Sequence, residues 1–494
     1  MEHYDLCVIG GGPAGYAAAM RAIDLGMRTL LVERDRIGGT GIYNGALTSK
    51  TLWEISQRVA AVNEMVRPRG REPFRMTWEE VSRTLNEAVF ERKYLYACHL
   101  QLLQNKGTDQ FRHERGTARF IDPHRIRIER PGCTVDVTSA RTIVATGSRP
   151  RTLPGVPVDE RRIMTSDGIF ALEDLPESLV IIGAGVIGCE FATILSNFGR
   201  TRVHLIDRAA RILPFEDEDV SELVASNLER KGVIVHREVA LEHLEHLPDA
   251  VRFSLKGKDG KVVAHEAERA LLSVGRVPNL EGLGLDLAGV QQDPATGRVV
   301  LEGTRTNVPH IHVVGDATGS NMLVNLGELA GRHAVEELGG LPLEAMETNG
   351  SSTIMFLDPE VAGVGVNEQQ CRQRNIPHRV ARIDYACLAR AIAMRRTQGF
   401  FKLIVSDDRE MRILGMRAVG EHASSAIQAV ALMMHLGVGV RTLTKLVHPH
   451  PSITEGVQEC ARMLLNESIF KSPVFGDKMR CHTWRPGQAD TRAA

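Results

Sequence analysis

Two stretches of the chain share one pattern: a buried strand, a glycine turn, a helix, and a second strand ending in an acid. That repeated pattern limits the fold more than any other feature of the sequence. In the first, Tyr4 to Ile9 is apolar enough for a strand covered on both faces. Gly10-Gly11-Gly12-Pro13-Ala14-Gly15 follows, then a helical run from Tyr16 to Leu25 and a strand from Thr29 to Val32 that ends at Glu33. The second runs from Leu179 to Ile182, through Gly183-Ala184-Gly185-Val186-Ile187-Gly188 and a helix over 189–198, to the strand Arg202–Ile206 and Asp207. In each, the first glycine makes the tight turn and the second lets a pyrophosphate approach the backbone. The third packs helix on strand, and the acid accepts from a ribose hydroxyl. A glycine triplet alone is weak, but all four parts in register define a dinucleotide site. Two such units imply two dinucleotides.

Asp207 predicts NADH over NADPH, because its carboxylate would repel a 2′-phosphate. Arg208 and Arg211 lie just beyond it and are the route by which NADPH would be accommodated.

A chain of 494 residues is long enough for two to four domains. With 60 Lys+Arg against 61 Asp+Glu, it offers no basic field for nucleic acid or an anionic membrane. No apolar run approaches the ~18 residues of a membrane span. Met1-Glu2-His3-Tyr4-Asp5 enters a strand at once, predicting no secretory leader and a soluble cytoplasmic protein. None of the eight cysteines forms a Cys-x-x-Cys pair, so they read as reduced, mostly packed thiols. Residues 51–110 read as long polar surface helices. Gly116 to Phe120, with Ala118, opens a β-meander that returns through Thr142 to Pro150 with Thr146 and Gly147. Val274 to Asn279, with Gly275, is followed by the strand-Gly-Asp element Ile311 to Ala317. From 350 the composition shifts, and about 472–494 reads as a polar, partly ordered tail with Pro473 and Pro486.

Between the first fingerprint and these helices stands Gly38-Gly39-Thr40-Gly41-Ile42-Tyr43-Asn44-Gly45-Ala46-Leu47-Thr48-Ser49-Lys50. With this segment, six motifs over about 1–470 resemble, in order, the flavoprotein disulfide reductases, the family of the dihydrolipoamide dehydrogenases. The resemblance implies an α/β fold with two Rossmann-like domains and a C-terminal α+β dimerisation domain, assembled as a homodimer. FAD would sit in a discontinuous domain of 1–150 and 280–345, NAD(P) in 151–279, and the dimerisation domain would span 346–471 before the 472–494 tail. It also implies that Gly39, Thr40, Ala118, Thr146, Gly147, Asp316 and Ala317 serve the flavin, with Asp316 on its ribityl chain and Gly275 on the path back from the second domain. Lys50 and Glu190 would form an ion pair between flavin and nicotinamide, and His450 with Glu455 an acid–base element.

The chain departs from that pattern where the family carries its redox disulfide: Gly41 and Ala46 stand at the two cysteine positions. Asn325 stands where lipoamide-type relatives have histidine. Neither glycine nor alanine supplies the thiolate that disulfide chemistry requires. The small side chains are expected to open an apolar slot lined by Tyr43 and Asn44, suited to a quinone-like small molecule or a second pyridine nucleotide as electron acceptor. The rival reading is a slow-turnover flavin-binding redox sensor or protein-interaction scaffold. A third is a specialised substrate reduced directly. His450 either protonates the new acceptor or survives as an interface residue, and Cys481 is weighed as a replacement thiol and set aside for want of a neighbouring cysteine.

Overall fold

The structure, a computed structural model, describes residues 1–105, 109–346, 350–471, 474–488 and 491–492. By packing, the chain forms two compact units: Met1–Leu175 with Leu271–Met346, and Pro176–Ala270 with Glu347–Ala494.

In the first unit, His3–Ile9 lies between Thr29–Glu33 and Cys133–Val144, all parallel, with Phe111–Arg115 outside Thr29–Glu33. Ile311–Val313 adds to the other side of the 133–144 strand. Leu6, Val8, Leu30, Leu31 and Ile143 are fully buried, which is why these strands are apolar without alternation. The far end of Cys133–Val144 turns into the antiparallel meander with Arg125–Arg130 and Thr117–Phe120. Helix Pro13–Asp24 covers the sheet with Ala18, Ala19 and Ala22, and helix Val324–Leu338 packs against it. That second approach depends on Gly331, whose Cβ would overlap the Ala14 carbonyl. Residues 46–104 form helices Ala46–Val66 and Trp78–Gln104, the latter begun by a reciprocal capping box between Thr77 and Glu80.

In the second unit, Ser178–Ile182, Arg202–Ile206 and Ile234–His236 run parallel, with helices Val186–Phe198 and Glu218–Arg230 between them in sequence. A meander of Ala240–His246, Val251–Lys256 and Val262–Ala267 follows. The C-terminal sheet has the order Thr353–Met355, Val361–Gly365, Ile413–Val419, Phe400–Ser406, His378–Asp384, Met479–Trp484, Thr491–Arg492. Phe401, Leu403, Val405 and Met416 form its core with Val457, Cys460 and Ala461 of helix Glu455–Leu464.

The stretch read as a partly ordered polar tail contributes a strand. Pro473 lies outside the described residues, but Met479–Trp484 pairs residue by residue with His378–Ile383. It pairs because Met479 and Cys481 turn inward onto the core and Trp484 stacks on His378. Cys481 is thereby packed, and burial pushes its thiol up to about 12. This is the opposite of the exposed, acidic thiol that redox exchange needs.

Candidate functional site

Each fingerprint closes on its own acid in the same way. Gly10 adopts φ +109°, and its missing Cβ lets the turn pass the Ala145 carbonyl. A Cβ on Gly15 would overlap the Gly10 carbonyl, so helix and turn touch only because neither residue has a side chain. Glu33 Oε2 accepts from Gly11 N at 2.7 Å and Oε1 from Asp35 N at 2.8 Å. In the second unit Gly183 adopts φ +105°, Asp207 Oδ2 accepts from Ala184 N at 2.7 Å, and Oδ1 accepts from Ala209 N at 2.8 Å. Gly188 is buried in the helix that follows. The acids thus brace the turns while retaining lone pairs for ribose hydroxyls. Arg211 donates to Gln369 Oε1 at 2.6 Å.

The helix starts behind these turns supply the cradle. Gly12 and Gly185 are the N-caps of helices beginning at Pro13 and Val186, and no atom lies within 4 Å of a Cβ built on either. That is open backbone at a helix N-terminus, the environment a pyrophosphate requires. In the first unit the turn at Gly39 (φ +48°) lies across Gly12, with a would-be Cβ 3.5 Å from the Gly12 Cα, and Gly38 N bonds Gly11 O at 2.7 Å. Thr40 is exposed beside it, whereas Ala118 is buried in the meander core. Thr146 Oγ donates to Asn279 O at 2.6 Å, leaving Gly147 (φ +70°) with open space on its α-carbon. Asp316 Oδ2 accepts from Ser148 Oγ at 2.6 Å, Ser148 Oγ accepts from Arg276 Nε at 2.8 Å, and Ala317 beneath is fully buried. Gly275, at φ +101°, turns the chain just before Arg276. An acid oriented by serine and arginine beside two glycine cradles fits a flavin dinucleotide in the first unit, and the matching turn fits a nicotinamide dinucleotide in the second.

The sequence signal missed Ser148, Arg276, Gly327 and Gly331. The two helix glycines carry a small-x-x-x-small spacing, visible in retrospect, that lets helix Val324–Leu338 meet Ala14.

The segment without cysteines also differs from expectation. It forms a short helix, Gly39–Ile42, followed by helix Ala46–Val66, on whose first turns Lys50 sits with Nζ 3.2 Å from Ser49 Oγ. A Cβ on Gly41 would stand 2.7 Å from Pro13 Cγ and 3.2 Å from Cδ. The direction a Cβ at 41 would take is therefore occupied by Pro13. Tyr43 is covered by the Arg36 guanidinium 4.0 Å from its ring centre, and Asn44 bonds Asp167, whose carboxyl burial pushes up. Neither is a free wall of a slot.

Glu190 belongs to the second unit. It is buried, and its Oε1 accepts from Phe356 N at 3.0 Å. His450 Nδ1 meets Glu455 Oε1 at 2.8 Å, and Ser452 N donates to the other oxygen at 2.8 Å. Burial raises the Glu455 pKa, but the Ser452 amide and His450 outweigh it, and the net position is below the usual value. An ionised Glu455 accepts only, so Nδ1 carries the proton and Nε2 is left to exchange one. The His450 side chain is 72% exposed. His448 bonds Thr454 instead.

Two clamped glycine turns, each set to hold a dinucleotide, followed by a sheet domain with a His–Glu pair, define a two-nucleotide oxidoreductase. Residues 4–333 match the family model of the pyridine nucleotide-disulphide oxidoreductases, and 351–461 match that family's dimerisation domain. The chain belongs to this family, whose members use FAD and NAD(P)H. It is 31% identical over 476 residues to a dihydrolipoyl dehydrogenase of Bacillus subtilis, covering 93% of this chain and 97% of that one. A dihydrolipoyl dehydrogenase of Chlamydia trachomatis is 30% identical over 482 residues, 96% of this chain and 99% of that one. Among solved structures, LpdA of Mycobacterium tuberculosis superposes with a TM-score of 0.84 at 25% identity, covering 94% of this chain and 100% of that one. The HOCl-induced flavoprotein disulfide reductase RclA of Escherichia coli, in its Cu(II) complex, gives 0.82 at 25% identity, with 94% and 100% coverage. Among the described residues no helix is long and apolar enough to cross a membrane.

Proposed function

We propose that the protein is a homodimeric, FAD-dependent NAD(P)H oxidoreductase of the cytoplasm. It passes electrons to a non-disulfide acceptor, a quinone-like small molecule or a second pyridine nucleotide. The observation that carries this reading is the pair Gly41 and Ala46. The segment that bears the family's disulfide has no sulfur, and Cys7 and Cys189 are buried with thiols pushed far up by desolvation. Disulfide and lipoamide chemistry through that pair is then ruled out.

When bound, FAD supplies two-electron transfer between a nicotinamide and an acceptor. Gly10, Gly12, Gly15, Glu33, Gly39, Thr40, Ala118, Thr146, Gly147, Asp316 and Ala317 would hold it. Gly183, Gly185, Gly188, Asp207 and Gly275 would hold the nicotinamide nucleotide. Lys50 would contribute a cation beside the flavin, and Glu190 would supply a fixed carboxylate in the nicotinamide-binding unit. Glu455 keeps His450 in the tautomer whose Nε2 takes or returns a proton to the acceptor. Exposed Leu432, Leu436 and Val447 support a dimer formed through the C-terminal domain.

The test mixes anaerobic, FAD-loaded protein with NADH, then with quinones, lipoamide and NADP⁺. Bleaching of the flavin without a thiolate charge-transfer band, followed by fast reoxidation by a quinone or nucleotide but not lipoamide, is expected. Steady turnover with lipoamide sinks the proposal. Asp207→Asn keeps one acceptor for the turn but removes the charge. The NADPH-to-NADH ratio of kcat/KM should rise by about tenfold, the equivalent of about 1.4 kcal/mol. An unchanged ratio removes Asp207 from nucleotide choice.

A further inference from the structure

The second unit holds three histidines that the redox reading does not use. His204 on strand Arg202–Ile206 is buried, and its Nδ1 lies 3.0 Å from Nε2 of His236 on the neighbouring strand Ile234–His236. Their rings are 5.3 Å apart between centres with planes within 11°. That geometry is a single in-plane N–H···N bond. One ring donates and the other accepts, so the contact needs one proton between the facing nitrogens and breaks when both carry one. Because the two nitrogens face each other, no cation fits between them, and among the described residues no group of three metal ligands occurs.

We infer that the His204–His236 pair is a proton-sensitive latch that positions Asp207 for the nicotinamide nucleotide, closed when the rings are neutral and released when both are charged. The inference rests on reading residues 183–207 as the nucleotide site. The connection is a single backbone hydrogen bond. The His236 carbonyl accepts the Asp207 amide at 3.0 Å, and the Asp207 carboxylate in turn holds Ala184 N and Ala209 N. The strand that carries His236 has only three residues, so losing the imidazole bond loosens a large share of its anchorage. The groups acting on the pair are Arg202 from His204's own strand and His265 from the meander, whose ring centre is 5.9 Å from His204 and 5.5 Å from His236. Phe253 adds an edge contact to His204. None of these offsets a positive charge with a carboxylate.

Burial, then His236, lowers His204 to about 4, and burial with His265 lowers His236. A depressed histidine stabilises the closed form above its ordinary value of 6.5, and this is lost as pH falls from there through the folded value. Each ring then multiplies the open population by up to about tenfold per pH unit.

The experiment uses the FAD-loaded full chain between about pH 7.5 and about pH 5. Hydrogen exchange of peptides spanning 234–246, corrected for the intrinsic rate, reads the opening, and calorimetry with NAD⁺ reads the affinity. The wild type should open at least about tenfold more at the lower pH, and NAD⁺ should bind more weakly to the extent that the open form becomes a sizeable fraction. The double variant His204→Gln with His236→Gln, whose amides still donate and accept but do not titrate, should be flat in both. A wild type that is flat, or a double variant with an unchanged response, overturns the latch. Should the variant not fold, C2-hydrogen exchange of the wild-type imidazoles decides. A midpoint well below 6.5 for His204 supports the latch, and two ordinary midpoints overturn it. Absence of NAD⁺ binding at about pH 7.5 overturns the nucleotide-site reading and the latch with it. A pH-independent opening overturns the latch alone.

Discussion

Replacing Lys402 with methionine should lower the stability of the second unit by about 3 kcal/mol while leaving its core volume nearly unchanged. Lys402 Nζ lies 2.6 Å from Asp219 Oδ1, 3.2 Å from Asp217 Oδ2 and 3.4 Å from Glu368 Oε2, and its side chain is 5% exposed. The attraction is strong because Lys402, Asp217 and Glu368 are withdrawn from water, and that same withdrawal makes the buried acids costly once the lysine is gone. Asp219 is the most exposed of the three acids and keeps Arg382, and Glu368 keeps Arg372 and His482, so the loss falls mainly on Asp217. Among the described residues, Asp217's carboxylate otherwise accepts from the backbone amides of Glu368 and Gln369. Urea unfolding is the measurement, and adding Asp217→Asn should return more than half of the loss. The pH dependence has a definite sign. Burial raises the Glu368 carboxyl, but His482 and Lys402 outweigh it and hold it far below its ordinary 4.5. A depressed carboxyl stabilises above that value and loses the contribution as pH falls beneath it. The gap between wild type and Lys402→Met should therefore narrow in acid. A variant with wild-type stability at neutral pH would show that the cluster is energetically neutral.

What the sequence disclosed was set by distance along the chain. Strand, glycines, helix and acid fall within about thirty residues in each fingerprint, so periodicity and turn chemistry reveal them together. His450 and Glu455 carry no such local signal; the resemblance to the family pointed to them, and in the structure they meet at 2.8 Å. The Lys402 cluster joins the lysine to acids 34, 183 and 185 positions away, and nothing local distinguishes a lysine in an apolar strand from a mispatterned one. His204, His236 and His265 come from three separate strands and meet only after the meander folds over the parallel sheet. Met479–Trp484 does alternate, but Pro473, Pro486 and Gly487 around it signal a tail, and its partner strand lies 100 residues upstream. The crowding at the Gly41 Cβ position was hidden on a different ground. Side-chain volume can be counted from sequence, whereas whether a neighbour fills the gap depends on how closely two backbones approach.

Reinstating both cysteines, Gly41→Cys with Ala46→Cys, should therefore not recreate a disulfide reductase. In the first unit the Pro13 ring sits where the new Cβ at 41 would go, 2.7 Å from its Cγ. Real Cβ contacts are not that short, so one of the two must move. Pro13 cannot swing away, because its ring is closed on the backbone at the first position of the fingerprint helix. The displacement falls on the Gly39–Ile42 turn instead, which lies across Gly12 and is held there by the Gly38 to Gly11 bond. Overpacking of this kind costs about 1–3 kcal/mol. Because the strained turn adjoins the proposed pyrophosphate cradle, weakened FAD retention should accompany the loss. Ala46→Cys alone, at a half-buried helix start, should be close to neutral. Three readings of the purified variants decide the matter: thiol titration after oxidation, the FAD content after dialysis, and lipoamide turnover. Two free thiols, reduced FAD content and no lipoamide turnover are expected for the double variant. A closed disulfide with lipoamide turnover would mean that the turn accommodates a side chain freely and that only the sulfur atoms separate this protein from its disulfide-reducing relatives.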